Sequence, residues 1–244
     1  MIHRVQKSIF SLVELLVIIS ILAIMASFLQ PTLSNMTIHA TTIACKSNLR
    51  YIGTTIISYT MDHYYYPVNQ QKKPNTNFLY ISWDDSLGQG YDGRNLSFDD
   101  IKKPKCSEPY PLYECPQQKP LYNNSGYIRS YVMNCNQGSS NNGGISSLWG
   151  AGSGSVNVDE VYIPSETILL TEKEGKLGSG YSSGIYGAND QKNYLNSKPD
   201  ASHNSMFNYL FCDGHVSLYL TDETRNPDKN DWYCGKFWTR NPND

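Results

Sequence analysis

The sequence predicts an α+β protein in which one long N-terminal helix packs on a head built around an antiparallel β-sheet. Three observations carry this expectation. Apolar residues recur at helical spacing from about Phe10 to about Asp62. Short runs rich in β-branched and aromatic residues follow, punctuated by Gly, Asn and Pro. Near the C-terminus, Asp213-Gly214 separates two apolar runs as a hairpin turn would.

Composition narrows the function classes. The 244 residues allow one or two domains and a substantial core. Lys and Arg number 20 against 22 Asp and Glu, so no basic excess calls for nucleic acid. A net charge of −2 also excludes disorder driven by self-repulsion. The mean hydropathy of −0.47 conceals an apolar beginning.

Residues 1–9 carry Arg4 and Lys7 and no acid, and read as a cytoplasmic leader. Residues 10–29 hold a single charge, Glu14, and twenty such residues rise about 30 Å as a helix, the thickness of a bilayer core. The expectation is a membrane-spanning segment at 10–29, with the basic flank left inside. A cleaved secretory signal fits poorly, because the apolar run is long and Ala26-Ser27-Phe28 lacks the small-residue cleavage pattern. A carboxylate inside such a segment costs about 2.5–3.5 kcal/mol and marks function. A free amino group on Phe10, one turn before Glu14, would answer it. That amine exists only if the chain is cut between Ile9 and Phe10.

Beyond Pro31 the stripe continues through Leu33, Met36, Ala40, Ile43, Leu49, Ile52, Ile56 and Tyr59. One helix over 10–62, bent near Pro31, is expected. The remainder, 63–244, is a single head with no second span and no repeat. Its strands are expected at 78–83, 127–133, 156–163, 167–171, 207–212 and 215–220, the last two joined as a type I′ hairpin over Asn208–Leu220. The Gly/Ser/Asn-rich stretches 136–154 and 175–187 read as loops, with Trp149, Tyr181 and Tyr186 available for packing or binding.

Six cysteines, Cys45, Cys106, Cys115, Cys135, Cys212 and Cys234, follow the apolar segment. An even number in an oxidising compartment favours disulfides, with Cys106–Cys115, Cys212–Cys234 and Cys45–Cys135 the first pairings to test. Zinc is disfavoured, because no Cys-x-x-Cys pair or adjacent His marks a ligand cluster. No metal ligand is therefore assigned. Calcium would draw on Asp84, Asp85, Asp92, Asp99 or Asp100, but their spacing fits no EF-hand loop and solvated acids account for them better. Catalysis would draw on His203, Cys212, Asp213 and His215. No phosphate loop or nucleophile motif supports it, and the chain is read as a non-enzyme with no catalytic residue and no required cofactor.

Phe10, Ser11, Leu12, Val13, Glu14, Leu15, Leu16, Val17, Ile18 and Ile19 resemble the F-T-L-I-E-L-L-V-V-I core of type IV prepilins and type II secretion pseudopilins. Cys45, Asn48, Leu49, Arg50, Ile52 and Gly53 resemble the continuation in one subfamily. His203, followed by nine residues and then Asp213-Gly214, resembles that subfamily's H-x9-DG signature. Trp83-Asp84-Asp85, Tyr91 to Leu96, Cys115-Pro116 and Ser130 to Asn134 resemble its blocks in order. The resemblance implies a pilin-like fold and removal of the leader by a prepilin peptidase at Ile9, where the family usually has Gly. It further implies methylation of Phe10 and an assembly role for Glu14. His203, Asp213 and Gly214 read as a structural turn motif. The implied protein is a bacterial inner-membrane, single-pass subunit with its head in the periplasm or at the cell surface. It would join other pilin-like subunits and a secretion or pilus machine. The alternative is a surface module that binds glycan or polymer through its loops.

Overall fold

The structure is a computed structural model that describes residues 11–72, 80–97, 99–100, 110–116, 130–136, 144–147, 155–172, 184–185, 203, 206–224 and 237–240. Ile9, Phe10, Cys106, Cys234, Trp149, Tyr181 and Tyr186 lie outside them, as do the leader and most of both Gly/Ser/Asn-rich stretches. Cα packing separates two units, Met1–Ala40 and Thr41–Asp244.

Helix α1 (Leu12–His63) begins with two reciprocal bonds between Ser11 and the first turn. The Ser11 hydroxyl accepts the Val13 N–H at 3.2 Å, and Glu14 Oε2 accepts the Ser11 N–H at 2.9 Å. These bonds satisfy donors that a helix start leaves open. The described side chains from Leu12 to Phe28 are exposed. Among the described residues no helix is long and apolar enough to cross a membrane. Glu14, Ser20 and Ser27 interrupt the apolar side chains described between Leu12 and Phe28, and a charge within such a segment is costly to bury in lipid. This corrects the expected single-pass inner-membrane localisation with its head in the periplasm or at the cell surface.

In the second unit α1 buries Leu49, Ile52, Ile56 and Tyr59. It ends at Tyr64, whose φ of 62° and N–H bond to Thr60 O at 2.8 Å form a left-handed C-terminal cap. A short antiparallel pair, β1 (Gln70–Lys72) and β2 (Tyr80–Ser82), leads into α2 (Trp83–Gly88).

The main sheet is built from β3 (Tyr131–Asn136), β4 (Ser146–Ser147), β5 (Ile168–Glu172), β6 (Gly184–Ile185), β7 (Met206–Phe211) and β8 (Val216–Leu220). Its order is β4-β3-β5-β7-β8, with β6 also paired to β3. The β3–β5, β5–β7 and β7–β8 pairs are antiparallel, while the two-residue β4 and β6 join β3 in parallel. The head is thus mixed helix and antiparallel sheet.

Both faces of this sheet are covered, which is why its central strands are apolar almost throughout. Met133, Leu170, Leu210 and Val216 share one core with the α1 residues Leu49, Ile52 and Ile56. Val132, Ile168, Phe207, Tyr209 and Phe211 form the other core, covered by Phe237 and Trp238. Gly53 permits the helix to approach closely, since a Cβ there would lie 2.8 Å from Leu210 Cδ1.

Two sequence expectations change. The expected strand at 156–163 is instead a single 3₁₀ turn, Val158–Glu160, preceded by one bridge between Tyr65 and Asn157. Asn157 and Glu160 form a capping box there, and that local bonding outweighs the β-branched composition. The hairpin exists, but its turn is not type I′. Gly214 alone of the turn residues has positive φ, at 89°, and its N–H bonds Phe211 O at 2.9 Å while Phe211 N–H bonds His215 O at 2.9 Å. This is a three-residue loop, Cys212-Asp213-Gly214, closed by a glycine bulge. Asp213 Oδ1 stabilises it by accepting the His215 N–H at 3.1 Å.

Candidate functional site

Four side chains from distant parts of the sequence meet inside the head: Cys45, Cys115, Glu172 and His203, all buried. One potential donor atom from each lies within 4.8 Å of the others. Cys45 comes from α1, on the same face as Leu49 and Ile52 one and two turns later. Cys115 follows the 3₁₀ turn Pro111–Tyr113. Glu172 ends β5, and His203 precedes β7.

Each donor is oriented by a neighbour. Asn48, three residues after Cys45, donates its amide to Glu114 O at 3.2 Å and so holds the chain that carries Cys115 against the helix. The Cys115 N–H donates to the Ser130 hydroxyl at 2.8 Å. Glu172 accepts from the Asn208 backbone N–H and from its side-chain amide, each at 2.9 Å. His203 has a left-handed φ of 51°, and its Nδ1 lies 2.7 Å from Thr42 Oγ1. Its Nε2 then faces Glu172 Oε1 at 3.2 Å and Cys115 Sγ at 3.5 Å. The Cys45 and Cys115 sulfurs are 2.6 Å apart.

The electrostatics are those of a crowded, water-poor pocket. The contact with Cys115 raises the Cys45 pKa most, followed by burial and the charges of Glu172 and Cys115, with the Tyr131 hydroxyl pulling the other way. Burial draws His203 down, but hydrogen bonding to Cys115 and Glu172 and their charges push it up to about 10. The Tyr131 hydroxyl is buried beside Cys45 and Asn48, and no hydrogen bond of good geometry reaches it among the described residues. Burial first, then Cys45, Glu172 and Cys115, hold it protonated.

Of the expected disulfide pairings only Cys45–Cys135 joins two described residues, and the two thiols are turned to different partners. Cys45 meets Cys115, not Cys135, and Cys135 directs its thiol to Met133 O at 3.1 Å. No S–S bond is closed among Cys45, Cys115, Cys135 and Cys212. The partners expected for Cys115 and Cys212, namely Cys106 and Cys234, lie outside the described residues, and Cys212 sits beside Tyr66. The set weighed for catalysis is divided: His203 engages Glu172 and Cys115, whereas Asp213 engages His215 at 2.6 Å in the partly exposed hairpin turn. His203 itself, expected as a turn residue, belongs to the buried cluster.

The acids considered for calcium have other partners. Arg94 pairs with Asp92 at 2.6 Å and lies 3.8 Å from Asp84. The Tyr113 hydroxyl donates to Asp92 Oδ2 at 2.6 Å. Asp85 caps α2 through the Ser82 N–H at 2.9 Å, and Asp100 accepts from the Ser97 N–H at 3.1 Å. Asp99, beside it, is helical.

Sequence reasoning missed Glu172 entirely, and no spacing in the chain marks it. It also missed that Ser11-x-x-Glu14 is a capping-box pattern, a signal the sequence does carry.

Fold and cluster together define an α+β protein in which two cysteines, a glutamate and a histidine converge in a buried constellation joining the helix to the sheet. No protein-family model, curated protein or solved structure matches the chain.

Proposed function

We propose that the chain is a pilin-like assembly subunit, processed by a prepilin peptidase and packed with other copies into a pseudopilus or pilus by a secretion or pilus machine. The observation that carries this reading is the row of exposed apolar side chains along α1 from Leu12 to Phe28, interrupted only by Glu14 and small or hydroxylated residues. A row of that size needs cover, and like helices of neighbouring subunits supply it. The head contributes a rigid body, because the second half of α1 is part of its core. Chemistry on a substrate has less support, since the cluster of potential catalytic groups is buried and the turn residues are occupied with one another.

Intact-mass and N-terminal analysis of the protein from its native source tests the reading. A mature chain beginning at N-methylated Phe10 is the expected result. An unmodified chain beginning at Met1 would overturn it.

A further inference from the structure

We propose that Cys45, Cys115, Glu172 and His203 form a four-coordinate zinc site that fastens α1 to the sheet of the head. This inference does not depend on the assembly reading.

The donor set carries it. Two sulfurs, one imidazole nitrogen and one carboxylate oxygen are ligands zinc takes in closed tetrahedral sites. Thiolate and imidazole disfavour calcium and magnesium, which take oxygen ligands. Ligand atoms around zinc stand about 3.3–3.8 Å apart at the usual bond lengths, and the four donors here already lie within 4.8 Å of one another. Only small side-chain shifts separate the structure from such a cage, chiefly a widening of the 2.6 Å sulfur pair.

The surroundings are also those of a metal cage. Metal-bound His commonly donates its second ring N–H to a fixed acceptor. Thr42 Oγ1 stands at that place on Nδ1, and the Nε2 side faces the other donors. Asn208 fixes the carboxylate through two bonds, as a bound carboxylate requires. The buried Tyr131 hydroxyl lies beside Cys45 and is a donor to a thiolate sulfur there.

A disulfide between Cys45 and Cys115 is the competing arrangement. It would be neutral and would use only the two sulfurs. It would leave His203 and Glu172 as an ion pair at 3.2 Å beside the bridge, without bonding to either sulfur. Two thiolates and a carboxylate around a dication neutralise most of their charge in place, which a buried group requires.

In the site, zinc bonds to Cys45 Sγ, Cys115 Sγ, His203 Nε2 and a Glu172 oxygen. The thiol protons and the proton on Nε2 leave to solvent, and nothing is oxidised or reduced. No coordination position remains open, so the role is structural. Its ligands come from residues 45, 115, 172 and 203, and closing those long loops constrains the unfolded chain.

The test is metal analysis of the tag-free full-length chain, expressed with zinc supplied and purified without chelator. About one zinc per chain is expected. Cobalt substitution of the same protein should give the intense visible bands of tetrahedral coordination together with sulfur-to-cobalt charge transfer. Cys45→Ser and His203→Gln should each lose most of the zinc, while Cys212→Ser keeps it. A wild-type chain that holds no zinc, or one lighter by two hydrogens through a Cys45–Cys115 disulfide, overturns the proposal. So does full zinc retention in Cys45→Ser and His203→Gln. The wild-type stoichiometry and cobalt spectrum decide the matter even where a variant fails to fold.

Discussion

Thr42 Oγ1 lies 2.7 Å from His203 Nδ1, joining α1 to a residue 161 positions later in the chain. The hydroxyl orients the ring so that Nε2 faces Glu172 and Cys115. Thr42→Val keeps the shape of the side chain and removes that partner. Zinc affinity of the full chain should fall about 10–100-fold, with circular dichroism unchanged, because losing an outer partner of a metal-bound His typically costs this much. Competition with a chromophoric chelator measures it, and unchanged affinity would show that Thr42 does not position the ring.

Gly53 faces Leu210, and any Cβ would stand 2.8 Å from Leu210 Cδ1. Gly53→Val should destabilise the head by about 1–3 kcal/mol through overpacking between α1 and β7. Adding Leu210→Ala should recover part of that loss, because the two changes share one space. Chemical denaturation of the single and double variants reads the coupling; strictly additive losses would place the strain elsewhere.

Arg94 is enclosed with Asp92, their side chains being 9% and 0% exposed, and its guanidinium lies 4.8 Å from the Tyr113 ring centre. Arg94→Ala strands a buried carboxylate and should cost about 3–5 kcal/mol. The double variant Arg94→Met with Asp92→Asn should be the more stable of the two, since the Asp92 charge is removed and only that of Asp84 is left without its arginine. Thermal unfolding distinguishes them.

Gly214 holds φ at 89°, and a Cβ there would meet Ile57 Cδ1 at 3.1 Å. Gly214→Val should therefore lose at least the about 1–2 kcal/mol of a left-handed residue with a side chain. Asp213→Asn retains an oxygen that can accept the His215 N–H and should stay within about 0.5 kcal/mol of wild type. A large loss for Asp213→Asn would mean that the carboxylate charge, and not the turn geometry, matters there.

Glu14 has two separable duties under the assembly reading. Glu14→Gln preserves a capping-box acceptor for the Ser11 N–H but removes the charge that would answer the Phe10 amine. Helix content should stay constant while subunit cross-linking falls. Ser11→Ala should do the reverse, weakening the helix start by about 1 kcal/mol with assembly retained. Wild-type cross-linking in Glu14→Gln would refute the recruiting role.

Local features of this chain are legible in its residues alone. The spacing of Leu49, Ile52 and Ile56 specifies which face of a helix is buried. Asp213-Gly214 between apolar runs specifies a reversal of the chain, because glycine readily takes the φ that the reversal requires. Features that depend on contacts across long separations came from packing. The glycine bulge displaced the type I′ turn because the backbone bonds between Phe211, Gly214 and His215 select the loop length. Glu172 carries no local signal, yet strand β5 delivers it to His203. Cys45 and Cys115 meet because α1 and the Ser130-held loop pack on the same core. Ligand spacing along a chain reveals a metal cluster only when the ligands share a turn or hairpin, and here each rides on a different element, so packing alone brings the four donors together.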